Sequence, residues 1–173
     1  MTTHGFAVFE TAIGDCGIAW STAGVTGFQL PERDLSSTRQ RMTSRFTGAI
    51  EAPPPPDIQR AVDAVIALLG GGRVDLAFVP IDMDGLPAFH QRVYDVARSI
   101  PPGATLTYGA IATQLGDPGS ARAVGQALGR NPIPVIVPCH RVLAADGKTG
   151  GFSAPGGTAT KLNLLAIEGT QLF

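Results

Sequence analysis

Ala121-Arg122-Ala123-Val124-Gly125-Gln126-Ala127-Leu128-Gly129-Arg130 runs without a gap into Asn131-Pro132-Ile133-Pro134-Val135-Ile136-Val137-Pro138-Cys139-His140-Arg141-Val142. The first ten residues have helical spacing: Ala121, Val124 and Leu128 share one face, and Arg122, Gln126 and Gly129 lie opposite. The next twelve do not continue the helix, because the prolines at 132, 134 and 138 lack a backbone donor and fix φ. They form a short apolar extended segment whose route ends at a thiol beside an imidazole and a guanidinium. A helix that hands the chain to a rigid path ending in cysteine makes this half mainly α-helical and built to deliver Cys139.

Upstream of this stretch, Thr107 can cap a helix over 108–115, Gly116-Asp117-Pro118-Gly119 turns the chain, and Ser120 can cap the helix over 121–130. Helix, tight turn and helix predict a helix-turn-helix. On its exposed face one long cation, Arg122, stands among Ala123, Gly125 and Gly129, so little bulk keeps the backbone away from a partner. A duplex groove suits that surface; the competing reading is a small-residue helix packed closely on a neighbour with a solvated arginine. Before it, Phe89, Val93, Val96 and Ile100 mark one face of another helix, ended by Pro101-Pro102-Gly103. The boundary falls near Asp82 to Gly85, giving domains 1–83 and 84–173.

The first domain is predicted to be a small α/β unit. Three β-prone runs, Phe6 to Thr11, Cys16 to Ser21 and Val25 to Leu30, are separated by turn residues and form an antiparallel meander. Leu35 to Phe46 is helical with Ser36 or Ser37 as cap. Pro53 to Pro56 mark a loop, and Asp57 caps an amphipathic helix closed by Gly70 to Gly72. Val74 to Ile81 is expected to be a strand. No chemical constellation stands out here, so the expected task is support.

Composition bounds the function. Of 173 residues, 44% are hydrophobic and 16% charged, which excludes a disordered polyelectrolyte. No apolar run approaches the roughly 20 residues that span a bilayer, and no leader pattern is present, so no membrane is expected and a cytoplasmic location is. Residues 1–83 carry six basic and nine acidic side chains, net −3; residues 84–173 carry seven and five, net +2. Nucleic-acid contact is therefore expected in the second half. Cys16 and Cys139 are both read as free thiols. There is no paired Cys-x-x-Cys spacing and no dinucleotide glycine fingerprint, so neither metal nor cofactor is expected.

A thiol with a pKa near ~8.5 is only slightly ionised at neutral pH, and nearby His or Arg raises the thiolate fraction. Neighbours in sequence need not meet side chain to side chain, so His140 is expected to act through a bridging water, oriented by a distant carboxylate, with Glu168 the candidate. Taken alone, Cys139 also fits a small buried hydrophobe, which is the reading given to Cys16.

Pro138-Cys139-His140-Arg141, preceded by Arg122-Ala123-Val124-Gly125 and Asn131-Pro132, resembles the 6-O-alkylguanine-DNA alkyltransferase family. The resemblance runs from about Leu86 to Gly169 and includes Tyr108-Gly109, Gly150 to Ser153 and Leu164-Leu165-Ala166-Ile167-Glu168-Gly169. It implies an α/β N-terminal domain followed by a mainly α-helical C-terminal domain with a winged-helix-like helix-turn-helix. It also implies a monomer that repairs double-stranded DNA, taking the alkyl group from 6-O-alkylguanine irreversibly onto Cys139, with 4-O-methylthymine a further substrate left open.

Carried over by residue, His140 and Glu168 form the relay to Cys139, Asn131 is the hinge, and Tyr108 assists the leaving purine. Arg122 enters the base stack, while Thr107, Ala123, Gly125 and Gln126 join the DNA surface. Val142, Phe152, Ser153, Leu128 and Arg141 surround the base. The segment Ser153-Ala154-Pro155-Gly156-Gly157 is two residues longer than the family's usual Ser-Gly-Gly, Phe152 replaces a frequent Tyr, and Tyr94 replaces a frequent Trp. Two rival readings remain: a cysteine hydrolase using Cys139 and His140, and a lesion-binding module that flips a base without reacting.

Overall fold

The computed structural model describes residues 3–170, and the chain divides into two compact units. Among the described residues, one comprises 3–85 together with 132–136; the other comprises 86–131 and 137–170. The division is not a single cut, because five residues of the proline-rich segment pack with the N-terminal part.

In the first unit, β1 (Gly5–Thr11), β2 (Gly14–Ser21) and β3 (Gly24–Gln29) form the expected antiparallel meander, in the register Phe6 to Ala19 and Ile18 to Phe28. Both turns end on glycines at positive φ, Gly14 and Gly24, a conformation that L side chains resist. The helix α1 (Leu35–Arg45) lies on this sheet. Glycines make room for it: a Cβ at Gly17 would meet Met42, and one at Gly27 would meet the Phe46 ring. Phe6, Ala19 and Met42 are the centre of that contact. Burying residues such as Phe28 and Ile18 stabilises the unit by about 1.5–3 kcal/mol each.

Several local expectations change. The cap of α1 is Asp34, whose carboxylate accepts from Ser37 N–H at 2.7 Å, and neither Ser36 nor Ser37 fills that role. Asp57 is not the cap of α2 (Pro56–Leu69). It sits in the first turn, where a carboxylate favours the helix dipole, while Pro55 holds the cap position and Pro56 starts the helix. Of the apolar face that helical spacing predicts for α2, Ile58, Ala61, Val62, Val65 and Leu69 are buried, but Ile66 is exposed.

Val74 to Ile81 is not a strand. Asp75 accepts from Ala77 N–H and folds Leu76–Phe78 into a 3-10 turn, leaving Ile81 a single parallel bridge to Val25. The sheet's fourth strand is instead β4 (Ile50–Glu51), parallel to β1, so the order is β3-β2-β1-β4 and the sheet is mixed.

The second unit is helical: α3 (Ala88–Arg98), α4 (Tyr108–Gln114), α5 (Ala121–Gly129) and α6 (Gly157–Ile167), with one two-stranded parallel pairing of β5 (Leu106–Thr107) with β6 (Val142–Leu143). The buried residues of α3 are Val93, Tyr94 and Ala97, with Ile100 just beyond. Phe89 and Val96, expected on the same face, are only partly buried. Tyr94 is a core residue whose hydroxyl donates to Ala127 O on α5 at 2.6 Å.

Thr107 caps α4 as expected, accepting from Ala110 N–H. Ser120 occupies the cap position of α5 but makes no capping bond; its hydroxyl donates to Asp117 O within the 3-10 turn Pro118–Ser120. On α5, Val124 and Leu128 face inward and Arg122, Gln126 and Gly129 are exposed, as the helical spacing predicts, but Ala127 joins the buried face and Ala121 is only half-buried. No described helix is long and apolar enough to cross a membrane.

Candidate active site

The 3-10 turn Cys139–Arg141 presents three consecutive side chains in three directions, because about three residues complete a turn. Only Cys139 reaches the neighbouring pocket. His140 and Arg141 turn away, toward the end of α6, and both meet Glu168. His140 Nε2 lies 3.0 Å from Glu168 Oε2; Arg141 donates from Nε at 2.9 Å and from Nη2 at 2.6 Å, and its Nη1 donates to Ile100 O. The three side chains are almost wholly buried.

Their protonation follows from this geometry. Burial alone would raise the Glu168 pKa, but hydrogen bonds from His140 and Arg141 and their charges bring it down to about 2. The carboxylate is therefore ionised and accepts only. His140 Nε2 must then carry the hydrogen. Burial pushes the imidazole pKa down, against the pull of Glu168 and with the help of the Arg141 and Lys161 charges, so the ring is neutral at pH 7. Its Nδ1 is left with a lone pair, buried and without a hydrogen-bond partner among the described residues. A neutral imidazole with one nitrogen held and the other available is the form needed to accept a proton.

Cys139 is a free thiol, 8% exposed, at the wall of a pocket of about 450 Å³ lined by Tyr108, Gly125, Leu128, Gly129, Gly151, Phe152 and Ser153. Burial pushes its pKa up. A hydrogen bond from the Asn131 side chain, the Lys161 charge and the N–H groups of Cys139 and His140 act in the opposite direction. The resting group is thus a thiol surrounded by groups that favour the thiolate. Asn131 also donates from Nδ2 to Val137 O at 2.9 Å, and Cys139 N–H donates to the same carbonyl, so one amide fixes both the turn and the sulfur.

Tyr108, at the start of α4, lies across the pocket. Burial and then the Cys139 charge raise its pKa, so it remains a phenol and a donor. Gly150 lies so close that a Cβ there would stand 2.7 Å from the Tyr108 hydroxyl. Ser153 borders the opening, its hydroxyl donating to Gly129 O. The two-residue extension is folded locally: Thr160 donates to Pro155 O, and Gly156 and Gly157 take positive φ before α6 begins.

Most residues picked out in the sequence meet here: Cys139, His140, Glu168, Asn131, Tyr108, Leu128, Phe152 and Ser153. Two expected at the pocket do not line it. Arg141 is committed to Glu168 and Ile100. Val142 is fully buried in β6, and its carbonyl accepts from Lys161 Nζ at 2.7 Å. Gly125 belongs to the pocket wall, while Arg122 and Gln126 stand on the exposed side of α5 and Ala123 is half-buried.

Lys161 is the residue that sequence reasoning missed. Its side chain is 1% exposed, donates to Val142 O and Gly151 O, and lies 5.8 Å from the Tyr108 ring centroid. Burial pulls its pKa down to about 8, with the Cys139 charge acting against that. A signal was available: Lys161 is three and four positions before Leu164 and Leu165, on the one face of α6 that is buried. No group of three or more metal-ligating side chains occurs among the described residues.

Comparison with known proteins places this geometry in context. Residues 88–170 match the family model described as 6-O-methylguanine DNA methyltransferase, DNA binding domain. The methylated-DNA--protein-cysteine methyltransferase of Methanothermobacter thermautotrophicus is 37% identical over 91% of this chain and 81% of its own length. A DNA base-flipping protein of Thermus thermophilus is 44% identical over 64% of this chain and 72% of its own. The crystal structure of Mycobacterium tuberculosis OGT in complex with DNA superposes with a TM-score of 0.78 at 37% identity, covering 94% of this chain and 91% of that one.

Proposed function

Because this chain belongs to the methylated-DNA--protein-cysteine methyltransferase family, we propose that it repairs DNA by moving the alkyl group of 6-O-alkylguanine onto its own Cys139. The observation that carries the reading is a single arrangement: a thiol on the wall of an open pocket, backed by a neutral imidazole that Glu168 holds by one nitrogen.

The reaction is an in-line displacement. The Cys139 proton passes to His140 Nδ1 through a bridging water as the sulfur attacks the alkyl carbon; an S–C bond forms and the C–O bond breaks. Guanine leaves as an anion that receives a hydrogen bond from the Tyr108 phenol and then a proton from solvent. Asn131 and the Lys161 ammonium stabilise the developing thiolate in a site of low dielectric. Arg141 keeps Glu168 ionised, so His140 retains the tautomer the step requires. The Ser153 N–H donates to the 6-oxygen, the Cys139 carbonyl receives the exocyclic amine, and Leu128 and Phe152 pack on the base. A thioether has no easy route back to thiol, so each molecule acts once.

The lesion reaches the pocket by extrusion from duplex DNA. Helices α4 and α5 act as a winged-helix-like helix-turn-helix, α5 entering a groove with Thr107, Ala123, Gly125 and Gln126 near the backbone, while Arg122 fills the place of the extruded nucleotide. The protein acts as a monomer in the cytoplasm and needs no cofactor. A hydrolase is disfavoured because such enzymes take their histidine from a distant segment, whereas His140 follows Cys139 directly. A purely lesion-binding module would have no use for Cys139.

Incubation with a duplex oligonucleotide containing 6-O-methylguanine, followed by peptide mass spectrometry, tests the reading. One methyl per molecule is expected, on the peptide containing Cys139. Cys139→Ser is expected to bind the duplex and accept nothing. Repeated turnover by one molecule, or methyl on another residue, refutes it.

A further inference from the structure

Among the described non-glycine residues, only Val135 and Asp146 have positive φ. Asp146 is exposed, and aspartate tolerates that conformation. Val135 is buried and β-branched, with φ 72°, for which the left-handed region is a genuine outlier. Ile136 N–H donates to Pro134 O around it, which makes Pro134–Ile136 the rare and strained form of γ-turn. Such a conformation persists only where the surroundings over-determine it.

Those surroundings belong to the N-terminal unit, in which residues 132–136 pack. The Pro132 carbonyl accepts from Phe28 N–H in β3 at 2.9 Å and from Arg45 Nη2 at 3.1 Å. Arg45 Nη1 donates to Phe28 O at 2.9 Å and to Gln29 Oε1 at 3.0 Å, and its guanidinium stacks 4.8 Å from the Phe46 ring centroid. One planar group thus ties the last turn of α1 to the end of β3 and to the segment that follows Asn131. At its other end that segment is closed by the Asn131 bond to Val137 O, the carbonyl that also receives Cys139 N–H.

We propose that Arg45 is a positioning residue for alkyl transfer: by pinning the Pro132 carbonyl to β3 it holds the strained turn at Val135 and so fixes the chain's approach to Cys139. This rests on the alkyl-transfer reading above but assigns the N-terminal unit a part in it. Only the forked guanidinium, with donors diverging from one plane, reaches both Phe28 O and Pro132 O; an ammonium is a single point. Without the fork, the turn relaxes and the sulfur shifts, and small misplacements of a reacting atom are expensive in rate.

The test is inactivation by free 6-O-benzylguanine, measured as kinact and KI for the full-length protein, Arg45→Lys and Arg45→Met. The pocket side chains that hold the base are untouched, so KI should stay within about twofold. kinact should fall about tenfold in Arg45→Lys, and further in Arg45→Met, because only the placement of sulfur changes. A lysine variant with wild-type kinact overturns the proposal, as does a raised KI with unchanged kinact. If Arg45→Met does not fold, the lysine variant decides. If the wild-type protein takes neither the benzyl group nor the methyl of the duplex oligonucleotide, the alkyl-transfer reading fails instead. The carbamidomethylation rate of Cys139 by iodoacetamide, in a Cys16→Ser background, then reads the placement: equal rates in wild type and Arg45→Lys overturn it, and a slower rate in Arg45→Lys supports it.

Discussion

Cys16 and Cys139 are both free, both buried, and both pushed by that burial toward a higher pKa, yet their surroundings differ in every other respect. Cys16 lies in β2 with no exposed surface, 3.8 Å from the Thr11 hydroxyl; burial, with the Asp15 charge and against the Thr11 hydrogen bond, raises its pKa to about 12. Cys139 has Asn131, Lys161 and two backbone N–H groups acting against the same desolvation, an imidazole next in sequence, and a pocket in front of it. Burial by itself makes a thiol inert. Reactivity requires donors aimed at the sulfur, a base with a lone pair to spare, and space for the other reactant.

The largest expected effect comes from moving Cys139 toward the condition of Cys16. Glu168→Gln no longer enforces the His140 tautomer, so transfer at neutral pH should slow on the order of 10- to 100-fold while recovering in part at higher pH. The variant also leaves Arg141 buried beside a neutral amide, and breaking such a pair costs about 3–5 kcal/mol. The Glu168 pKa is depressed in the folded state, so its contribution to stability is complete above its ordinary value and is lost as pH falls toward about 2. Acid unfolding of the wild-type protein should therefore steepen across that window, and Glu168→Gln should lose the effect. An unchanged rate at neutral pH refutes the relay.

A second experiment sharpens the role of the pocket, which Cys16 lacks. If Arg122 replaces an extruded nucleotide, Arg122→Ala should slow transfer from duplex DNA about 10- to 100-fold, since unstacking a base costs a few kcal/mol. Transfer from free 6-O-benzylguanine should change less than about twofold. Equal losses on both substrates would make Arg122 a support of the pocket, and an even weakening of binding with a shallower salt slope would make it a phosphate contact.

The smallest effect on chemistry should come from Cys16→Ser. Transfer is expected to stay within about twofold of wild type, while stability falls by about 1–3 kcal/mol as a hydroxyl enters a dry sheet. Measuring both is informative: a loss of transfer without a loss of stability would erase the contrast between the two thiols.

What the sequence makes legible divides along similar lines. The meander is readable because glycines punctuate it, and α5 because its faces segregate. β4 is not, since two residues beside a run of prolines carry no period. Val74 to Ile81 has the composition of a strand, but Asp75 captures the backbone locally before a ladder can form. In the site, Cys139, His140 and Glu168 are legible from chemistry and from family resemblance. Lys161 is not read because a lysine on a helix is ordinarily solvated, and only the packing of α6 buries it. The Arg45 contact is harder still: nothing local to residues 39–45 says that a carbonyl 87 positions later will need a donor.

The closeness of Gly150 to Tyr108 has a consequence for how this protein can be damaged by mutation. Function can be lost there by addition. A single methyl at position 150 would stand 2.7 Å from the phenol oxygen, too close for Tyr108 to keep its place, while the thiol, the imidazole and the carboxylate all remain. The set of damaging substitutions therefore extends past the residues that carry the chemistry to a position that contributes only empty volume and a left-handed backbone, and a survey confined to reactive groups would overlook it.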